Sequence, residues 1–450
     1  MDLEDFLAAA GELLAVPSTA DQPAELERAL GYVLDFVGPG FTVERFASGG
    51  KPSALVYRKD ALVYRKDQDD DSERTYFRVI LNAHLDVVPA PPDQFRPRRD
   101  GTRLYARGAQ DMKVSALAEA LAFRELAGSV GYPLALQLVT DEEVGGRNGT
   151  RHQIERGVRG EFVVIGETSG LRIVTESKGM LGVTLRASGR GAHSAYPWLG
   201  ENAVVTLIRS VQNVLARYPV ATEEVWRTTV NVARVHTPNE ARNQIPAEAE
   251  AWLDIRFPPE DTDLAGRSAA EIAAYLQIFC EPGVTAVVDH LDAPQNADGG
   301  RPEIARLAEA ARAQGYQPDF LRKHGTGDGR FYGEAGVTAV AFGVGGHGQH
   351  GADEYADITT IAPYYQALTQ FLRAPGADGA ARAAPGALRG LGPMGGSGPG
   401  AARARRGLRP LQGQRLNGRA DSREPPVIPL GRRVGFQEGQ RSTGQADGRQ

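Results

Sequence analysis

The residue types that could do chemistry in this chain are histidines and carboxylates set just beyond short apolar runs. His84 and Asp86 form a His-x-Asp pair. Residues two apart on a strand share a face, so the carboxylate is placed to sit behind the imidazole, accept its free N–H and fix its tautomer, as metal-bound histidines usually require. On an exposed loop the same pair is only a surface histidine beside an acid. The stretch Gly108-Ala-Gln-Asp-Met-Lys puts Asp111 after a glycine turn at a helix start, where Asp is also a favoured cap. A carboxylate has two oxygens, however, and can bridge two cations roughly 3.5–4 Å apart. Thr140-Asp141-Glu142-Glu143-Val144-Gly145-Gly146 sets successive carboxylates in irregular backbone, so one can ligate while its neighbour faces a substrate as general base. Buried like charges are costly unless cations neutralise them. Glu167, and either His347 or His350, complete the set. Two imidazoles with three carboxylates suit zinc, cobalt or manganese and not calcium. Cys280 is the only cysteine, which removes thiolate-cluster metal sites and any internal disulfide.

Four strand-length apolar runs position these groups: 76–83, 134–140, 162–166 and 337–343. Each is followed by a metal-competent side chain: His84, Glu142 with Glu143, Glu167, and His350. In open α/β sheets the carboxyl ends of the strands are where sites assemble, because the loops diverge there and leave a crevice. Apolar residues at helical spacing predict helices over 2–16, 23–37, 114–126 and 358–373. Between 180 and 291 the pattern changes to strand, helix, strand, strand, helix, strand, the order of a split-βαβ sandwich. The expected fold is therefore an α/β catalytic domain, a mixed sheet between helices, with an inserted α+β ferredoxin-like domain. The boundaries read as 1–179 for the first catalytic part, 180–293 for the insert, 294–373 for the second catalytic part and 374–450 for a tail. The tail, rich in Gly, Pro, Ala and Arg with Phe436 its only aromatic, reads as disordered because it cannot bury enough surface. The heptapeptide ALVYRKD occurs twice in succession, at 54–60 and 61–67. A shift of seven turns every side chain to the opposite face of a strand, so one copy is expected to be looped out.

The net charge of −5 conceals an asymmetry: 13 Arg, no Lys and five acids give residues 374–450 a charge of +8 and leave −13 on residues 1–373. An acidic body with no basic face argues against nucleic acid as a partner. No apolar run approaches the roughly 20 residues that span a bilayer, which argues against a membrane. The first 17 residues lack the basic start and apolar stretch of a secretory leader. With a single cysteine, the chain reads as cytoplasmic.

Eight motifs resemble the M20 family of co-catalytic metallopeptidases, which includes aminoacylases, succinyl-diaminopimelate desuccinylase, acetylornithine deacetylase and glutamate carboxypeptidases. They are AHLDVVP (83–89), GAQDMK (108–113), TDEEVGG (140–146), GETSG (166–170), GRGAHSAYP (189–197), NQIPAEAEAWLDIRF (243–257), GTGDGRF (325–331) and HGADEY (350–355), in family order. The resemblance implies two divalent metal ions, zinc first and cobalt or manganese next. His84 and Glu167 would bind one, Glu143 and His350 the other, with Asp111 bridging, which chooses His350 over His347. It implies Asp86 as the residue that orients His84 and Glu142 as the base. The insert would be a lid that also makes a homodimer, with His193 reaching the partner's active site to stabilise an oxyanion. Asn243, Arg256, Gly325 and Thr326 match substrate-binding positions, Arg256 being suited to a bidentate carboxylate contact unless it serves a lid salt bridge. The implied substrate is a small N-acyl amino acid or peptide, cut by a deacylase or desuccinylase, or by a dipeptidase or carboxypeptidase. A non-catalytic metal-binding protein on this fold would have lost the base or a ligand, and all are present. Three departures stand out: Thr168 where many members have Pro, Glu167 where members differ between Asp and Glu, and Gly within Gly325-Thr326-Gly327-Asp328 where Ser is frequent. The repeat and the tail have no counterpart in the resemblance.

Overall fold

The strand Leu134–Val139 is buried at all six positions, the mark of a parallel strand covered on both faces. It lies in a 10-stranded sheet in which the order runs Thr42–Ser48, Lys51–Tyr57, Leu134–Val139, Glu73–His84, Arg159–Ile165, Thr338–Ala341, Ile173–Ser177, Gln295–Asn296. The computed structural model describes residues 1–61, 63–66 and 73–374; the acidic stretch at 67–72 and the tail from 375 onward, expected to be disordered, lie outside the described residues. The four middle strands from Leu134 to Ala341 are mutually parallel, and antiparallel strands flank them on both sides. The register sets His84 beside Val139, and Asn82 beside Ile165. The four strand ends that carry the candidate ligands are therefore neighbours at one edge of the sheet.

One face of this sheet packs against Leu3–Leu14, Pro23–Val37, Val114–Leu126, Pro302–Ala313 and Ile358–Arg373, with Leu30, Leu81, Leu117, Leu136, Ile304 and Leu368 in the shared core. On the other face Ile80, Val163 and Ile165 of the sheet pack with Ile154 of the short helix Thr150–Glu155 and Phe331 of Gly329–Glu334. Each fully buried aliphatic side chain stabilises the fold by about 1.5–3 kcal/mol relative to exposure. Helix starts follow capping chemistry: the Asp2 and Asp357 side chains accept from first-turn amides, and Pro23 opens the second helix.

A second, antiparallel sheet has the order Thr229–His236, Glu248–Phe257, Gly179–Ser188, Val284–Asp292. Glu248–Phe257 alternates between buried and more exposed positions, as a sheet covered on one face should. Helices Ala203–Arg217, capped by Asn202, and Ala269–Gln277, opened by a Ser268–Glu271 capping box, share a core of its own with Leu181, Leu185, Leu253, Ile255, Ile272 and Leu276. The architecture is an α/β catalytic body with a ferredoxin-like lid, as the pattern predicts.

One expectation is corrected. The first ALVYRKD copy lies in the strand Lys51–Tyr57, with Ala54, Leu55 and Val56 buried. The second is not looped out: Val63–Lys66 pairs antiparallel with the start of Glu73–His84. Pairing of that long strand with Leu134–Val139 begins only at Val79, which leaves residues 73–76 an edge for the second copy to occupy.

Candidate metal centre and active site

The two oxygens of Asp111 face different imidazoles: Oδ1 lies 3.0 Å from His84 Nε2, and Oδ2 lies 3.2 Å from His350 Nε2. Each imidazole has a second carboxylate of its own, Glu167 Oε1 at 3.4 Å from His84 Nε2 and Glu143 Oε2 at 3.1 Å from His350 Nε2. All five side chains expected to meet do meet. His347 instead sits exposed on the two-residue strand Gly346–His347. Asp111 does not cap the helix that follows it. It lies in the irregular turn Ala109–Lys113, outside helical backbone geometry, and Val114–Leu126 has no side-chain cap.

The supports of this cluster are partly unexpected. His84 Nδ1 is 3.0 Å from the main-chain carbonyl of Asp86 and 3.6 Å from its nearer carboxylate oxygen. A carbonyl only accepts, so Nδ1 carries a hydrogen and Nε2 is the ring nitrogen turned toward the cluster. The Asp86 carboxylate instead accepts from the amides of Glu142 and Glu143 at 3.2 and 3.0 Å, so it orders the acidic turn. Sequence reasoning gave no role to Arg107 and Glu354, which form a buried ion pair. Glu354 Oε1 accepts from the amides of Gln110 and Asp111, and Arg107 donates to the carbonyls of His350 and Gly351. The pair thereby ties the Asp111 turn to the His350 loop; the acid in HGADEY was the available signal. Gln349 also donates to Asp111 Oδ2. Thr168 donates its hydroxyl to the Val344 carbonyl at 3.0 Å, a contact that proline could not make.

Electrostatics mark the cluster as one that wants cations. Burial pushes Glu142 well above the ordinary carboxylate range; nearby His84 opposes this, and Glu167, Asp328 and Asp111 add to it. For Asp111, hydrogen bonds from His350 and His84 outweigh burial and hold it far below that range. Hydrogen bonds to Asp111 and Glu143 push His350 up to about 10. His84, Asp111 and Glu143 offer ligand atoms within 4.8 Å of one another, and so do His84, Glu142 and Glu167. Four carboxylates against two imidazoles, mostly buried, match the donor set of a divalent metal centre and would repel one another without positive charge. The cluster forms one wall of a cavity of about 550 Å³, within the usual range for small-molecule sites.

The other expected residues divide. Arg256, Gly325 and Thr326 line the cavity. Arg256, however, already spends Nε and Nη2 on Asp254 at 2.7 and 3.0 Å, and the Thr326 hydroxyl donates to the Lys178 carbonyl at 2.8 Å. His193 and Asn243 are exposed and away from this wall: His193 bridges to Gln244 and accepts the Ala195 amide at 3.1 Å.

The profile of peptidase family M20/M25/M40 matches residues 80–374. This chain is a member of peptidase family M20. Its relatives include a succinyl-diaminopimelate desuccinylase from Azoarcus sp. (strain BH72), 30% identical over 82% of this chain and 97% of the relative. A probable carboxypeptidase from Emericella nidulans is 30% identical over 57% of this chain and 63% of its own length. Among solved structures, an aminopeptidase PepT from Bacillus cereus superposes with a TM-score of 0.64 at 17% identity, covering 83% of this chain and 98% of that one. This M20 member is a metal-dependent hydrolase acting on amide bonds. Among its described residues no helix is long and apolar enough to cross a membrane.

Proposed function

We propose that this M20 hydrolase cleaves the amide bond of an N-acyl amino acid or small peptide bearing a free carboxylate. The observation that carries the reading is the placement of Asp111, with one oxygen toward each of two imidazoles that have separate second carboxylates. His84 and Glu167 would hold one divalent cation, Glu143 and His350 the other, and Asp111 both, with zinc the first choice for this nitrogen and oxygen set. Such a pair supplies Lewis-acid polarisation of the scissile carbonyl and a more acidic water. Glu142 then accepts the proton of the attacking water and delivers it to the leaving amine, base and acid in turn. Its closeness to His84 and Glu167 also suits a ligand, but Asp111 already serves both imidazoles, so we keep Glu142 as the base. Asp86 holds the amide of Glu142 and so fixes the base against the cluster.

The stretch 180–293 serves as lid and dimer surface in this reading. Thr229–His236 lies at the edge of its sheet, and Trp198, Leu199, Val205 and Ile208 are exposed, surface that suits a second copy. His193, outside the cavity of its own chain, would then complete the partner's site. Deacylase or desuccinylase action is placed first, because the desuccinylase relative is matched over nearly its whole length and the carboxypeptidase over less. A panel of N-succinyl, N-acetyl and dipeptide substrates with the metal-loaded enzyme separates the two. Glu142→Ala is expected to abolish turnover with metal content nearly intact; parallel loss of metal and activity would contradict the division of roles.

A further inference from the structure

The proposed base stands on the short turn Glu142–Val144, whose amide side is held by the Asp86 carboxylate. Its far side is held from elsewhere. The Gly145 amide donates to the Glu142 carbonyl at 2.9 Å, and the Gly145 carbonyl accepts from Arg330 Nη2 at 2.7 Å. Gly145 has a φ of 106°, where other residues are strained, so no side chain braces the turn at that point. Arg330, buried near the start of Gly329–Glu334, also gives Nη1 to the Gly327 carbonyl at 2.8 Å. One guanidinium thereby joins two glycine-containing loops of the cavity wall.

A buried guanidinium is costly without an acid beside it. Among the described residues one carboxylate lies within ion-pair distance of Arg330, and it belongs to the root of the inserted domain: Asp292 Oδ1 is 3.4 Å from Arg330 Nε. The same oxygen accepts at 2.9 Å from Nη2 of Arg147, which directly follows Gly146, and Oδ2 is 2.6 Å from His290 Nε2. Asp292 is itself buried and ends the strand Val284–Asp292, three residues before Gln295 joins the large sheet beside Ser177. Two arginines that bracket the turn, one following it in sequence and one bonded to it through space, thus converge on one carboxylate. We infer that Arg330 is a positioning residue for Glu142, acting through the Gly145 carbonyl, and that Asp292 fixes Arg330. The seat of the base is set in part from the root of the insert. The inference rests on the hydrolase reading above and adds two residues to its machinery.

The test uses the metal-loaded full chain and whichever of the N-succinyl, N-acetyl and dipeptide substrates it cleaves fastest. Arg330→Met should lower kcat by about 10–100-fold, the scale of a displaced catalytic group, with KM and metal content within about threefold. Arg330→Lys, which can still donate to Gly145, should keep part of the loss from appearing. Asp292→Asn should lower kcat by about tenfold in the wild type and by less than about twofold in Arg330→Met, because a residue that acts through another adds nothing once that other is gone. Equal losses in both backgrounds overturn the relay, as does an unchanged kcat in Arg330→Met or a loss that tracks metal content. Should Arg330→Met fail to fold, Arg330→Lys and Asp292→Asn carry the same comparison. Hydrogen exchange needs no turnover and separates this inference from the reading beneath it. The amides of 142–146 should exchange at least about tenfold faster in Arg330→Lys and in Asp292→Asn than in the wild type. Wild-type exchange in both variants overturns the relay whatever the activity, whereas faster exchange in a chain that cleaves none of the substrates sinks the hydrolase reading and leaves the relay standing.

Discussion

Neighbouring parallel strands of the large sheet deliver His84, the turn with Glu142 and Glu143, Glu167 and the loop to His350 into one cluster, each in contact with another. The lid strand Glu248–Phe257 brings Arg256 to the same cavity already paired with Asp254, and the lid's His193 and Asn243 stand exposed outside it. The cation site is thus assembled by one sheet within one chain. The lid's contribution, by contrast, is unfinished, and a second copy is what our reading adds to it.

The sharpest way to break this contrast is His84→Ala, which removes the imidazole proposed to hold one cation with Glu167 and Asp111. We expect loss of at least one cation per chain and of turnover to background, read by elemental analysis and assay; retention of both cations would mean that the sheet does not own the site. Next in size, His193→Ala should lower kcat by about 10²–10³, the usual cost of one oxyanion donor, with cation content unchanged. A mixture of His193→Ala and Glu142→Ala chains should regain activity if the histidine serves its neighbour, and no regain would place it elsewhere.

A third measurement probes the cluster by pH. In the cation-free protein His350 is pushed up to about 10 by Asp111 and Glu143, so it is protonated at neutral pH, and a cation must displace that proton. Apparent metal affinity should therefore rise with pH by at least about tenfold per unit above neutrality, since His84 is also pushed up by its carboxylate partners against its burial. Calorimetry in buffers of different ionisation heat counts the released protons, and release of none would remove His350 from the ligand set.

The smallest effect concerns packing behind the cluster. Glu119 is fully buried, among the described residues only the Tyr364 hydroxyl donates to it, and its Oε1 occupies space that a side chain at Gly166, next to Glu167, would need. Burial pushes its pKa well up, so the fold favours the neutral acid. Its contribution is present below the ordinary carboxylate pKa and declines as pH rises toward the folded value. Glu119→Gln should then be more stable than wild type by about 1–2 kcal/mol at pH 8, with the difference shrinking as pH falls toward the ordinary carboxylate range and level below it. An unchanged or lower melting temperature at pH 8 would show the charge to be tolerated.

The strand-end placement of His84, Glu142, Glu143 and Glu167 was legible because each lies within three residues of the end of an apolar run, and the lid was legible because its alternation is regular. Other features depend on pairing across long stretches of sequence. Ile173–Ser177, Gln295–Asn296 and Phe320–Lys323 are short strands with mixed polarity that become strands by joining the sheet edge. Pro302–Ala313 buries Ile304, Leu307 and Ala311 among charged neighbours, too sparse an apolar stripe to announce a helix. The Asp254 partner of Arg256 was readable in principle, since residues two apart share a strand face.

Residue 86 serves the site through two different parts of itself. Its carbonyl receives the His84 ring, and its side chain receives the amides of the acidic turn. A carbonyl is supplied by any amino acid, so the histidine's tautomer is insulated from substitution at 86. Substitution of that side chain would instead loosen the whole acidic turn, moving the proposed base Glu142 and the proposed ligand Glu143 together.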